Sequence, residues 1–273
     1  MPNNPYLIML TNDDGISSEG LKAAAEALST LGDVIVTAPR HEYSGSGRSM
    51  PSESDGKIFQ TTWRFGGKNI PAYAIGSSPA QTVIHGLYEI APRKPDLLVS
   101  GINYGENIGD CITASGTIGA AIQGASLGIR SLAISTQISD WEKFRRDHRV
   151  DFSPAAHFTR YFARLLLEHK MPDDVDLLKV DIPENANPRT PWQIVRQARH
   201  PYYIPTIHRN GPLDSNARIG FTVTVKPEDI PADTDVHTLL FQQKIAVTPI
   251  SLDLTSRVKL ADLDRLLRGE QTE

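Results

Sequence analysis

With 273 residues, the chain can form one large α/β domain or a core domain carrying a smaller appendage. Its 40% hydrophobic and 22% charged residues are ordinary for a globular protein, and a net charge of -4 argues against a nucleic-acid polymer as partner. One cysteine, Cys111, excludes an intrachain disulfide and a thiolate zinc cluster, and no apolar run reaches the length of a membrane span. The opening residues 1–5 lack a signal-peptide pattern, so the expected location is the cytoplasm, a reducing compartment.

The first apolar run, residues 6–11, predicts a buried strand that leads directly into Asn12-Asp13-Asp14-Gly15. Leu21, Ala25 and Leu28 then recur at helical spacing behind Ser17 or Ser18 as the cap. Residues 34–37 predict a second strand ending at Ala38-Pro39-Arg40, and residues 40–75 are less regular, with a β excursion near 58–63. A helix is expected over 79–89 and a buried strand over 96–100. A Gly-rich loop and a small-residue helix over 116–127 come next, then a strand over 131–135. The basic run 143–149 reads as a solvated connection. Ser153-Pro154 opens a helix that places Phe158, Phe162, Leu165 and Leu166 at core spacing.

This βαβα order predicts a mostly parallel sheet with helices on both faces. Beyond residue 183 prolines become frequent and 221–225 alternates like a half-exposed strand, so residues 184–250 read as a β-rich extension. Leu260, Leu263 and Leu267 mark a last amphipathic helix, whose stripe packs on its own domain or on a second subunit. The expected division is therefore 1–183 and 184–273.

Four polar, Gly-punctuated segments fall where strands should end on one edge of the sheet, where open α/β folds bind ligands. They are Asn12-Asp13-Asp14-Gly15, the stretch around Ser44-Gly45, the loop from Ser100 through Asn103 and Asn107 to Asp110, and Ser115-Gly116-Thr117. Each alone is also a plain turn or helix cap. Adjacent carboxylates repel unless a cation or a shared proton compensates them. Carboxylate, hydroxyl and amide oxygens suit Mg²⁺, Mn²⁺ or Ca²⁺ better than a soft metal. A helix start near Ser115 offers amide N–H groups to a phosphate oxygen, and that combination points to phosphate-ester hydrolysis. A dinucleotide Gly-x-Gly-x-x-Gly after the first strand, a P-loop, a Gly-x-Ser-x-Gly elbow and a His-Glu-x-x-His are all missing. His41 and Cys111 read as a loop histidine and a packing residue.

At these residues the chain resembles the SurE family of metal-dependent nucleotidases. The resemblance rests on Thr11-Asn12-Asp13-Asp14-Gly15-Ile16, on Ala38-Pro39 with Ser44-Gly45, and on the run from Val99 to Asn107. Ser115-Gly116-Thr117, Val247-Thr248-Pro249 and Leu252-Asp253-Leu254-Thr255 complete it. It implies a Rossmann-like three-layer α/β fold with a smaller β-rich C-terminal extension, and association into homodimers or homotetramers. It also implies one divalent cation per subunit, held by Asp13, Asp14, Ser44 and Asn103. Asn12, Asn107, Ser115, Gly116 and Thr117 would meet the phosphate, and Asp13 or Asp14 would serve as general base. The implied substrates are nucleoside 5′-monophosphates. A nucleotide-binding regulatory module without turnover is the alternative, as is a broader 3′-nucleotidase or exopolyphosphatase. The chain departs from the family at Gly76-Ser77-Ser78-Pro79, Cys111, Ala114 and Gln123, positions that bear on pocket shape rather than on the implied ligands.

Overall fold

The computed structural model describes residues 5–138 and 150–269, and the basic run 143–149 lies outside them. β1 (Tyr6–Thr11) is apolar on both sides because it is covered on both. Leu7 and Met9 pack with Val83, Leu98 and Ala120, while Ile8 and Leu10 pack with Leu21, Phe158 and Phe162. α1 (Glu19–Leu28) starts at Ser18, whose hydroxyl accepts from Leu21 N, so Ser18 rather than Ser17 is the cap.

β2 (Gly32–Pro39) follows, then β3 (Ile58–Phe65) and β4 (Lys68–Ile75). The last two form an antiparallel hairpin where only a β excursion was expected. Its turn is Gly66-Gly67, both at positive φ, which a two-residue hairpin turn requires. Most of β3 is exposed, so no apolar run announces it. α2 (Pro79–His85) opens on a Ser78–Gln81 capping box and continues as one wider turn to Ile90.

β5 (Leu97–Tyr104) runs four residues past the expected end at Ser100, and its pairing shifts register between Ser100 and Asn103. α3 (Gly116–Ser126), β6 (Ser131–Thr136), α4 (Ser153–Glu168) and β7 (Leu177–Ile182) complete the alternation. Ser153 is the first helical residue of α4 rather than its cap, and its amide donates to Asp151 Oδ1 ahead of the helix. β8 (Trp192–Ile194), the hairpin β9 (Tyr203–Arg209) and β10 (Ala217–Val223), α5 (Asp235–Leu240), β11 (Ile245–Ile250) and α6 (Leu260–Leu267) follow.

The main sheet has the order β3-β4-β2-β1-β5-β6-β7-β11-β8, and β4 through β7 run parallel. β11 pairs antiparallel to β7 and parallel to β8, so two strands from beyond residue 183 belong to this sheet, whereas β9 and β10 form their own. α1 and α4 cover one face, α2 and α3 the other, giving the three-layer α/β fold. The chain leaves β1 toward β2 on one side and returns to β5 on the other. β1 and β5 therefore flank the topological switch point, where the crevice for ligands opens beyond their carboxyl ends.

Leu10 lies at the centre of this sheet and is fully buried, while Leu254 is 90% exposed. Leu10→Ala is expected to lower unfolding stability by about 2–5 kcal/mol, and Leu254→Ala by less than about 0.5 kcal/mol, in urea titrations. Equal losses at the two positions would contradict this placement of the core.

Candidate metal and phosphate site

The segment after β1 is held on three sides. Asn12 Nδ2 donates to Gly15 O at 3.0 Å, Ile16 N to Pro39 O at 2.8 Å, and Tyr43 N to Asp13 O at 2.8 Å. Gly15 turns at φ 91, which a side chain would strain. The turn brings two successive carboxylates to the crevice at the switch point, and Asp13 is almost wholly buried there.

Asp13 meets the start of α3. Its Oδ1 accepts from the Thr117 hydroxyl, and the Thr117 backbone also bonds to the carboxylate. The approach is so close that a Cβ on Gly116 would lie 2.7 Å from Asp13 Cβ. On the other side Asp14 lies near the backbone of Tyr104, at the end of β5, which favours its ionised form. Its Oδ2 is buried without a hydrogen-bond partner among the described residues. Burial raises the pKa of Asp13, against the Thr117 hydrogen bonds. Burial and then the adjacent Asp13 raise Asp14 well above its ordinary value, and Glu42 pushes both the same way. A pair in this state binds a proton readily, and a cation would replace that proton.

Asn103 adjoins Tyr104 and spends Nδ2 on Tyr104 O and Gly105 O, leaving its amide oxygen as the atom a cation could use. Ser44 follows Tyr43 on the loop bonded to Asp13 O, but its hydroxyl is exposed and donates to Glu42 Oε1 at 2.6 Å. Ser46, not singled out as a ligand in the sequence, places a buried and unpartnered hydroxyl beside Asp13. Its Oγ and Asp13 Oδ2 are each 2.8 Å from the point a Gly116 Cβ would occupy. Asn12 Oδ1 is likewise buried and unpartnered. Orphaned oxygens next to two carboxylates fit a hard divalent cation. Among the described residues no group of three or more His, Cys, Asp or Glu could hold a metal ion, so a cation here would depend on hydroxyl and amide oxygens beside the two carboxylates.

The expected phosphate-binding groups fall into two positions. Ser115 Oγ accepts from Ile118 N as the cap of α3, and Thr117 is engaged with Asp13, so both side chains already serve the fold. Asn107 lies beyond β5, its Nδ2 donating to Ser135 Oγ at 2.8 Å and its backbone N to Asp181 Oδ1 at 2.7 Å. Glu106 beside it is buried, accepts from Tyr202 OH and leaves Oε2 unpartnered, and burial raises its pKa. A glutamate inside a polar loop gives no sign in the sequence that it is buried. Burial also raises the Cys111 thiol, which fits a packing residue better than a nucleophile.

Residues 8–203 match the family model described as Survival protein SurE. The chain is 40% identical over 265 residues to the 5′-nucleotidase SurE of Methanosarcina acetivorans, covering 95% of this chain and 97% of that protein. It is 39% identical over 262 residues to the 5′-nucleotidase SurE of Thermococcus kodakarensis, covering 95% and 98%. The crystal structure of the SurE protein from Aquifex aeolicus superposes with a TM-score of 0.73 at 28% identity, over 96% of this chain and 99% of that one.

The raised Asp14 has a signed consequence for the metal-free protein. An acid with a higher pKa folded than unfolded destabilises the fold when ionised, a penalty that disappears as pH falls toward the unfolded value. Asp14→Asn is therefore expected to unfold at a higher temperature than the parent at neutral pH. The gap should close on acidification toward about pH 4, as followed by scanning calorimetry in chelator. A lower midpoint at neutral pH would contradict the reading of an uncompensated carboxylate.

Proposed function

Because this chain belongs to the SurE family, we propose that it is a phosphatase hydrolysing nucleoside 5′-monophosphates to nucleoside and phosphate, with a divalent cation at the β1–β5 switch point. The observation that carries this reading is the Asp13–Asp14 pair, with Asp13 buried against the start of α3 and Asp14 half-buried beside it, one of its oxygens buried without a partner among the described residues. Asp13, Asp14, Asn103 and, after turning from Glu42, Ser44 would hold one Mg²⁺ or Mn²⁺, with Ca²⁺ also suited to the oxygens. When bound, such an ion neutralises phosphate charge and lowers the pKa of water.

The chain's own groups supply the rest. Asn107 and the Gly116-Thr117 backbone orient the phosphate oxygens, with Asn12 and Ser115 shaping the pocket. One of the two aspartates accepts the proton of the attacking water as its oxygen bonds to phosphorus and the bond from phosphorus to the 5′ oxygen breaks. The departing nucleoside oxygen takes up a proton.

We further read the protein as a cytoplasmic homodimer or homotetramer assembled through residues 184–273. Support comes from α6, which has no buried residue and exposes Leu260, Leu263 and Leu267, and from Ile207, Ile219 and Phe221 exposed on the β9–β10 hairpin. No helix among the described residues is long and apolar enough to cross a membrane.

The purified protein is expected to release phosphate from AMP or GMP with Mn²⁺ or Mg²⁺ and to lose this activity in chelator. Asp13→Asn should lower the rate at least about a hundredfold. Full metal-dependent activity in Asp13→Asn would sink the assigned centre. Tight nucleotide binding without release, under several metals, would favour a regulatory module instead. Preference for 3′-nucleotides or polyphosphate would move the substrate class.

A further inference from the structure

β7 carries Lys179 and Asp181 two residues apart, hence on one face of the strand, and both side chains are wholly buried. Lys179 Nζ lies 2.5 Å from Asp181 Oδ2 and 3.1 Å from Asp235 Oδ2, and Asp235 is buried too. Burial alone would discharge the lysine, but Asp181 and Asp235 outweigh it and keep the ammonium charged. Two carboxylates against one ammonium leave an excess negative charge inside the protein. Backbone amides meet it. Asp181 Oδ1 accepts from Asn107 N at 2.7 Å, and Asp235 Oδ2 from Gly109 N at 3.2 Å. Asp235 Oδ1 accepts from Ala198 N and Val236 N, both at 2.8 Å.

These partners have a pattern. Asn107 and Gly109 belong to the loop after β5, while Ala198 and Val236 belong to the region beyond residue 183. Gln197 Nε2 adds a bond to Gly109 O at 3.0 Å, and Tyr202 holds Glu106. Buried ion networks add little net stability compared with apolar side chains of the same volume, because desolvation offsets their attraction. They do fix geometry, since each removed partner leaves a charge or an amide unpaired.

We propose that Lys179, Asp181 and Asp235 form a positioning network that sets the place of Asn107 in the phosphate pocket. It acts through the Asn107 backbone amide, and Ser135 holds the Asn107 side chain from the other end. The proposal rests on the reading of Asn107 as a phosphate contact. It also ties the C-terminal region to the site, because Asp235 is anchored there.

The test compares the full chain with Asp181→Asn, saturated with Mn²⁺. The introduced carboxamide keeps one acceptor oxygen where the carboxylate has two. Facing the charged Lys179 ammonium is the costlier choice for its donor end, so that end turns toward Asn107 N and displaces the amide. The expected result is a rise of about tenfold in KM for AMP and in the dissociation constant of inorganic phosphate, the latter read by calorimetry. The change in kcat should be smaller and Mn²⁺ affinity unaltered. In an Asn107→Ala background the same substitution should leave phosphate affinity unchanged. If Asp181→Asn is too unstable to purify, the neutral pair Lys179→Gln/Asp181→Asn carries the same comparison.

Unchanged phosphate affinity, with only a lower melting temperature, would show a purely structural network and overturn the proposal. So would an equal loss of Mn²⁺ affinity, or a full effect in the absence of the Asn107 side chain. Calorimetric phosphate binding needs no turnover. A parent protein that binds phosphate but does not hydrolyse AMP would count against the nucleotidase reading alone.

Discussion

Two carboxylates side by side in a desolvated crevice are the constraint around which this molecule is arranged. Asp13 and Asp14 cannot both be ionised there without compensation, and burial makes the penalty larger than it would be at a surface. The fold compensates only in part. Thr117 serves Asp13 and the Tyr104 backbone serves Asp14, yet one Asp14 oxygen stays buried and unpartnered. The parallel sheet makes the arrangement possible because its switch point lets β1, β5 and the start of α3 converge. A cation would complete that geometry, as proposed for Mg²⁺ or Mn²⁺.

Much of the core was legible in the sequence because both faces of the central strands are covered. Runs such as residues 6–11 and 131–135 are apolar without alternation, and the small residues of 116–127 announce a helix packed close against its neighbours. The aspartate pair was legible as well, since the apolar run ends abruptly in two like charges and a glycine. Polar groups whose partners are distant in sequence were not. Thr117 carries the right chemistry for a phosphate pocket, but in the fold its hydroxyl bonds Asp13, 104 residues away. Ser46 lies in the same polar segment as Ser44, and only the fold seats it against Gly116 and Asp13.

The less regular parts were only partly read, for an equally physical reason. β3 is mostly exposed and so lacks an apolar signature, while β8 has only three residues. Nothing in the sequence marks Lys179 and Asp181 as buried, because their burial depends on Asp235, 56 residues away from the lysine. That same contact makes the region beyond residue 183 part of the site's support. β8 and β11 extend the catalytic sheet, and Asp235 reaches across to the loop that carries Asn107. Charge compensation thus recurs at two depths, open to an ion at Asp13–Asp14 and closed by a lysine at Asp181–Asp235.

The most direct measurement is anomalous scattering at the manganese edge from crystals grown with Mn²⁺ and phosphate. One peak per chain is predicted between the carboxylates of Asp13 and Asp14, within bonding distance of the Asn103 side-chain oxygen and a reoriented Ser44 hydroxyl, with phosphate density against Asn107. A crevice without manganese, its aspartates still held only by Thr117 and Tyr104 while the ion sits elsewhere on the chain, would contradict the central role given to the pair.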